Sequence, residues 1–180
     1  MQTRIDEIEE GGATMSTYGE IGSGSNGRAV KFERHFNANP AELWAILTEP
    51  ERIGSWLQAE ASFEPRVGGA VHLRWEGSGE CSGTVAIFDP PRTLEYSWNE
   101  GTGTSIVHFE LRPLTTGGVM LTLRHCELPS GSHAGISTGW HTHLDALAAE
   151  LACEPFEFWP RFQELQPHYS KLVSDLYRPD

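Results

Sequence analysis

ISTGWHTHLDALAAEL, residues 136–151, spaces its large apolar residues Ile136, Trp140, Leu144, Leu147 and Leu151 four, four, three and four positions apart. On a helix of about 3.6 residues per turn they fall within an arc of roughly 80°. The other flank carries His141, Asp145 and alanines, and the spacing predicts an outer-face pairing of His141 with Asp145. A helix with one apolar stripe is not stable alone; most of its stability comes from what the stripe lies on. That surface must come from elsewhere in the chain.

The residues before the helix supply strands. The period is two at 29–36, AVKFERHF, with Val30, Phe32, Arg34 and Phe36 on one face. Arg34 either reaches inward there or covers apolar surface with its stem. Asn39-Pro40 then opens a helix, as N-cap and first helical residue, with Leu43, Trp44 and Leu47 on its apolar side. Glu49-Pro50 stops it, because a residue before proline avoids helical geometry. Ile53, Trp56 and Leu57 predict a second short helix. Further alternation follows in a strand from Phe63 to near Arg66, then at Val71/Leu73/Trp75, Val85/Ile87, Leu94/Tyr96/Trp98, Val107/Phe109/Leu111 and Leu121/Leu123/His125. Short Gly- or Pro-containing turns separate these runs, which describes an antiparallel meander with one apolar face. Strands curling around one long helix leave space between sheet and helix.

The chain has 180 residues, enough for one domain with a small extension. We divide it into an acidic, then Gly/Ser-rich N-terminal segment, 1–27, expected to be flexible; a folded domain, 28–153; and a helical extension, 154–180, packed on that domain. Met15 is a candidate alternative start, and 18–21 a candidate edge pairing. Phe156, Phe158, Trp159, Phe162, Leu165, Tyr169, Leu172 and Leu176 make the extension too aromatic for a solvated tail, so it is expected to pack back on the domain or on another copy. A bend is expected near Pro167. The net charge of −12 argues against nucleic acid and against anionic membrane surfaces. No run is long and apolar enough for a spanning helix. The N-terminus lacks a signal peptide's apolar centre. Cys81, Cys126 and Cys153 are odd in number with no CxxC spacing, which fits reduced thiols in the cytoplasm.

Five segments in this order carry a resemblance: FERHFNANPAELWAILTEPERIGSWL (32–57), RVGG (66–69), GTVAIFDPPRTLEYSW (83–98), LTLRHCEL (121–128) and GWHTHLDALAAEL (139–151). The chain resembles the SRPBCC superfamily, the START-like, birch-pollen-allergen-like helix-grip proteins, and within it the branch related to the activator of the 90-kDa heat-shock protein's ATPase. The resemblance implies an α+β fold: a curved antiparallel sheet of six or seven strands around a long C-terminal helix, with two short helices after the first strand. It does not select an activity, because this fold hosts binding, catalysis and co-chaperone work alike.

The residues themselves offer little catalytic machinery. His125 shares a strand face with Leu121 and Leu123 and points inward toward Trp140. It is either an acid, base or ligand-orienting group, or a buried histidine hydrogen-bonded to a backbone group. His141 and His143, two apart on a helix, point about 160° from each other and make no metal pair. Glu95 and Glu110 lie on polar strand faces, unsuited to paired-carboxylate hydrolysis. GxSxG and phosphate-loop patterns are absent, and no cofactor is expected. The expected cavity lining is Val71, Leu73, Trp75, Tyr96, Trp98, Phe109, His125, Trp140, His143, Leu144 and Leu147, with no catalytic residue assigned. The leading expectation is a non-catalytic binder of an apolar or aromatic small molecule. The alternatives are a stress-response module with a chaperone partner, and a polyketide-cyclase-like enzyme using His125.

Overall fold

The computed structural model describes residues 17–24, 27–101 and 103–177. The expected flexibility of residues 1–16 and the alternative start at Met15 lie outside the described residues. In chain order the elements are β1 (Glu20–Gly24), β2 (Gly27–Phe36), α1 (Pro40–Thr48), α2 (Pro50–Leu57), β3 (Glu60–Phe63), β4 (Ala70–Trp75), β5 (Gly79–Asp89), β6 (Thr93–Glu100), β7 (Gly103–Pro113), β8 (Val119–Cys126), α3 (His133–Ala152) and α4 (Phe158–Leu176).

The strands form one antiparallel sheet in the order β1-β2-β8-β7-β6-β5-β4-β3. Among the described residues there are eight, one more than the upper expectation, because the leader to β2 pairs with it as a strand of its own. The helical pair α1–α2 carries the chain from β2, near one edge, to β3 at the other. Asn39 Oδ1 accepts the Glu42 amide at 2.8 Å, and Pro40 occupies the first turn, where its missing N–H costs nothing. Glu49 is extended (φ −88°, ψ 123°) under the constraint of Pro50, so the two helices stay separate.

One expected strand shifts. The run from Phe63 to near Arg66 is not a strand; β3 ends at Phe63. Pro65 has no amide to donate, and residues 64–70 close into a turn in which the Glu64 amide bonds the Ala70 carbonyl at 2.9 Å. Gly69 belongs there, since a Cβ on it would stand 2.2 Å from the Glu64 carbonyl oxygen.

The inner face of the sheet and the stripe of α3 make the core. Trp140, Leu144 and Leu147 are at most 4% exposed and face Phe32, Leu73, Val107, Phe109 and Leu123 in one cluster. Each leucine so buried contributes roughly 1.5–3 kcal/mol. The outer face of the sheet carries ion pairs such as Glu95–His108 (2.9 Å) and Glu110–Arg124 (3.6 Å), as solvated strand faces do. Helix α4 lies along α3 and buries Leu165 and Tyr169. Its helical span runs through Pro167 without a break. No helix among the described residues is long and apolar enough to cross a membrane.

Candidate functional site: an aromatic mouth between sheet and helices

The seam between α3 and the sheet opens at the N-terminal end of α3. A cavity of about 680 Å³ lies there, walled by Trp75 of β4, Trp98 of β6, Gly139 and His143 of α3, and Phe158, Trp159 and Phe162 of α4. A second cleft, of about 520 Å³, lies toward the β6–β7 turn and the loop into α3, against Ser105, Pro129 and Ile136. A crevice of about 100 Å³ between Trp98, His125 and Trp140 adjoins both. Trp98 and Glu100 border all three spaces. The larger volumes fall in the usual range for small-ligand sites.

The residues expected to line the cavity divide into two groups. Trp75, Trp98, His125, Trp140 and His143 stand on the walls of these spaces. Val71, Leu73, Tyr96, Phe109, Leu144 and Leu147 sit deeper, in the packed core, each at most 5% exposed. Trp56 separates the two groups: its ring meets Phe109, Trp140 and His143 with centroids 6.3–6.4 Å apart, and its indole donates to the Ile46 carbonyl. Burial and nearby charge push the Tyr96 hydroxyl well above its ordinary range.

His125 is tied at both nitrogens. The Trp140 indole donates to Nδ1 at 2.9 Å. Nε2 therefore carries the proton and donates to Ser105 Oγ at 2.7 Å, and that hydroxyl donates to the Trp98 carbonyl at 3.1 Å. Burial depresses the His125 pKa to about 3, so the ring is neutral at neutral pH. Of the two sequence readings, the buried hydrogen-bonded histidine fits this geometry, except that no backbone group is its partner. Its partners are two side chains, which neutral imidazole can serve once each as donor and acceptor.

His143 is arranged differently. Its Nδ1–H donates to the Trp56 carbonyl at 3.2 Å, and its ring stacks against Phe158 at 4.7 Å. Burial lowers its pKa to about 4. Nε2 has no protein partner among the described residues and is left as an acceptor at the cavity wall. Among the described residues no cluster of three or more His, Cys, Asp or Glu is placed to hold a metal ion.

The outer flank of α3 requires a correction. His141 and Asp145 were expected on the surface, yet His141 is 2% exposed, because α4 covers this flank with Tyr169. The Gly19 amide donates to the Tyr169 hydroxyl at 2.8 Å, and that hydroxyl donates to His141 Nδ1 at 2.8 Å. His141 Nε2 then faces Asp145 at 3.6 Å, a loose pairing, and Arg161 Nε bonds the same carboxylate at 2.8 Å. Burial lowers the His141 pKa, with Asp145 opposing. Arg34 reaches inward: its guanidinium stands 5.5 Å from the Phe32 ring centroid, and burial lowers its pKa against the attraction of Asp145. His141 thus belongs to a buried polar junction, on the other side of α3 from His143.

Sequence reasoning missed Gln58, Glu76, Glu100, Gly139 and the three α4 aromatics as wall residues. One signal was available. Phe158, Trp159 and Phe162 form an aromatic cluster on one helical turn, and Trp159 is 60% exposed. Gly139 gave another: a glycine mid-helix at the border of the apolar stripe costs helix stability, which marks the position as one with a packing or functional reason.

Comparison with known proteins agrees with this architecture. A family profile described as activator of Hsp90 ATPase homolog 1-like protein matches residues 37–152. CalU16 from Micromonospora echinospora is similar in structure, with a TM-score of 0.68 and 27% identity over 85% of this chain and 94% of that one. A Rhodobacter sphaeroides protein aligns with a TM-score of 0.63 and 28% identity, covering 75% of this chain and 98% of that one. The Aha1 dimer from Colwellia psychrerythraea shares the fold at 17% identity, with a TM-score of 0.62 over 68% of this chain and 95% of that one. No curated protein matches the chain significantly. The strand order, the long α3 across the sheet and the matched span together place this chain in the family of activator of Hsp90 ATPase homolog 1-like proteins, within the SRPBCC helix-grip fold.

Proposed function

We propose that the protein binds a small molecule with an aromatic or apolar body in the mouth cavity, and does not transform it. The observation that carries this reading is the cavity of about 680 Å³ walled by Trp75, Trp98 and Trp159, with the single open imidazole acceptor of His143 on its wall. Concave, mostly aromatic sites with few polar groups are how proteins hold such ligands. The cyclase alternative has less support. His125, its intended acid or base, has both nitrogens engaged and a pKa near 3.

Gly139→Leu tests the reading. A Cβ on Gly139 would meet nothing within 4 Å, so a larger side chain enters the opening without displacing backbone. Native mass spectrometry and thermal shift against a panel of aromatic and apolar compounds should show binding by the wild type and loss in the variant. A panel in which no compound binds the wild type, or in which Gly139→Leu binds as well, overturns the proposal.

The family membership favours a second reading, an interaction module that stimulates a chaperone ATPase. Its support is the family description and the fold shared with the Colwellia protein. Stimulation of Hsp90 ATPase turnover by the purified protein is its direct assay. No change in turnover at saturating protein removes it.

A further inference from the structure

We infer that the guest of the mouth cavity is an organic cation, an aromatic or alkyl body bearing a quaternary or protonated amine. The inference rests on the binding proposal above and narrows it to one class of charge.

The charged groups on the cavity wall have one sign. Glu76 and Glu100 line it, and among the described residues no lysine or arginine does. The histidines at hand do not offset them. His125 Nδ1 accepts the Trp140 indole proton, which holds that ring neutral, and burial lowers the His143 pKa to about 4 although its Nδ1–H donates to the Trp56 carbonyl. An anionic guest would meet two carboxylates with no counter-charge, and the chain's net charge of −12 adds to the repulsion.

The aromatic walls point the same way. The Trp75 indole N–H is spent on the Leu57 carbonyl at 2.8 Å, and the Trp98 N–H is directed at Glu100 Oε2 at 3.4 Å. With their donor edges engaged, these two rings, 5.7 Å apart and inclined at 38°, offer π faces rather than hydrogen bonds to a guest. Trp159 adds a third ring, steadied edge-to-face by Phe158 and Phe162. The negative faces of indoles attract cations, and several rings with a nearby carboxylate form the recognised arrangement for alkylated ammonium groups. A purely apolar guest would supply no counter-charge to either carboxylate, and the Trp98 N–H that Glu100 receives carries none.

Three probes of one shape separate charge from shape: benzyltrimethylammonium, its neutral carbon isostere neopentylbenzene, and the anion phenylmethanesulfonate. Isothermal titration of the full chain should give the cation at least about tenfold tighter binding than the neutral isostere, and no measurable binding of the anion. Glu100→Gln and Glu76→Gln, both at exposed positions, should each weaken the cation about three- to tenfold and leave the neutral isostere unchanged. Added salt should reduce the cation's advantage. Equal or tighter binding of the neutral isostere or of the anion overturns this inference while leaving the small-molecule reading standing. Equal cation affinity in wild type and both Gln variants also overturns it. Absence of binding by all three probes overturns both.

Discussion

The seam between α3 and the sheet differs sharply between its two ends. At Leu144 and Leu147 it is solid: these leucines meet Leu73, Phe109 and Val71 with almost no exposure. On the neighbouring face, at Gly139, Trp140 and His143, the same helix borders open space. The two ends differ in their side chains. Branched aliphatic residues interdigitate to the density of a crystal and leave no gap. Large flat rings, fixed by N–H bonds at their edges and facing a glycine, cannot close on one another. Hollowness here arises from rigid, tethered aromatics beside an absent side chain.

Changes to the solid end should have the largest effect. Leu147→Ala should destabilise the fold by about 2–5 kcal/mol, read from chemical denaturation, because the cavity it leaves cannot collapse. A loss under about 1 kcal/mol would mean that this end is as loose as the mouth. The next effect is acid lability. His125 and His143 have folded pKa values near 3 and 4, below the ordinary value near 6.5 that they regain on unfolding. The unfolded chain therefore takes up protons first as pH falls. Stability is full above about pH 6.5 and declines toward pH 4, by up to about 1.4 kcal/mol per pH unit for each ring. Denaturation curves at pH 7.5, 6 and 5 should show the decline, and His125→Gln should flatten it; superimposable curves would contradict the buried neutral state.

Trp140→Phe sharpens the boundary between the two ends. It keeps the ring but strands His125 Nδ1 without its donor, which should cost about 1–3 kcal/mol. The same substitution should raise the His125 pKa, measurable by NMR titration, since the acceptor nitrogen becomes free to take a proton. The smallest stability effect belongs to the hollow end. Gly139→Leu should leave the fold unchanged or more stable by up to about 1 kcal/mol, through helix propensity alone. Equal losses at residues 139 and 147 would erase the distinction between mouth and core.

Much of the solid end was legible in the sequence, because periodicity reports which face a residue takes. Trp140, Leu144 and Leu147 announce themselves by helical spacing, and Leu73, Phe109 and Leu123 by alternation. The mouth was only half legible. Periodicity says that Leu73 and Trp75 point the same way, but not that the first is sealed and the second borders a void. That depends on how far along the strand α3 and α2 extend. The α4 wall was less legible still, because whether Phe158 and Trp159 face their own domain or a second copy is a matter of chain direction after Pro155. His141 was misplaced for the same reason: a polar flank reads as solvated until another helix covers it. The strand expected from Phe63 failed locally, since Pro65 withdraws the amide that pairing requires.

Trp75, Trp98, Trp140 and Trp159 all border the opening, while Trp44 packs elsewhere, against Phe88. The chain has six tryptophans, and four of the six stand at the entrance. Occupancy of the site should consequently be visible as quenching or a spectral shift without any attached dye. The protein is its own optical gauge of whether the compartment is filled.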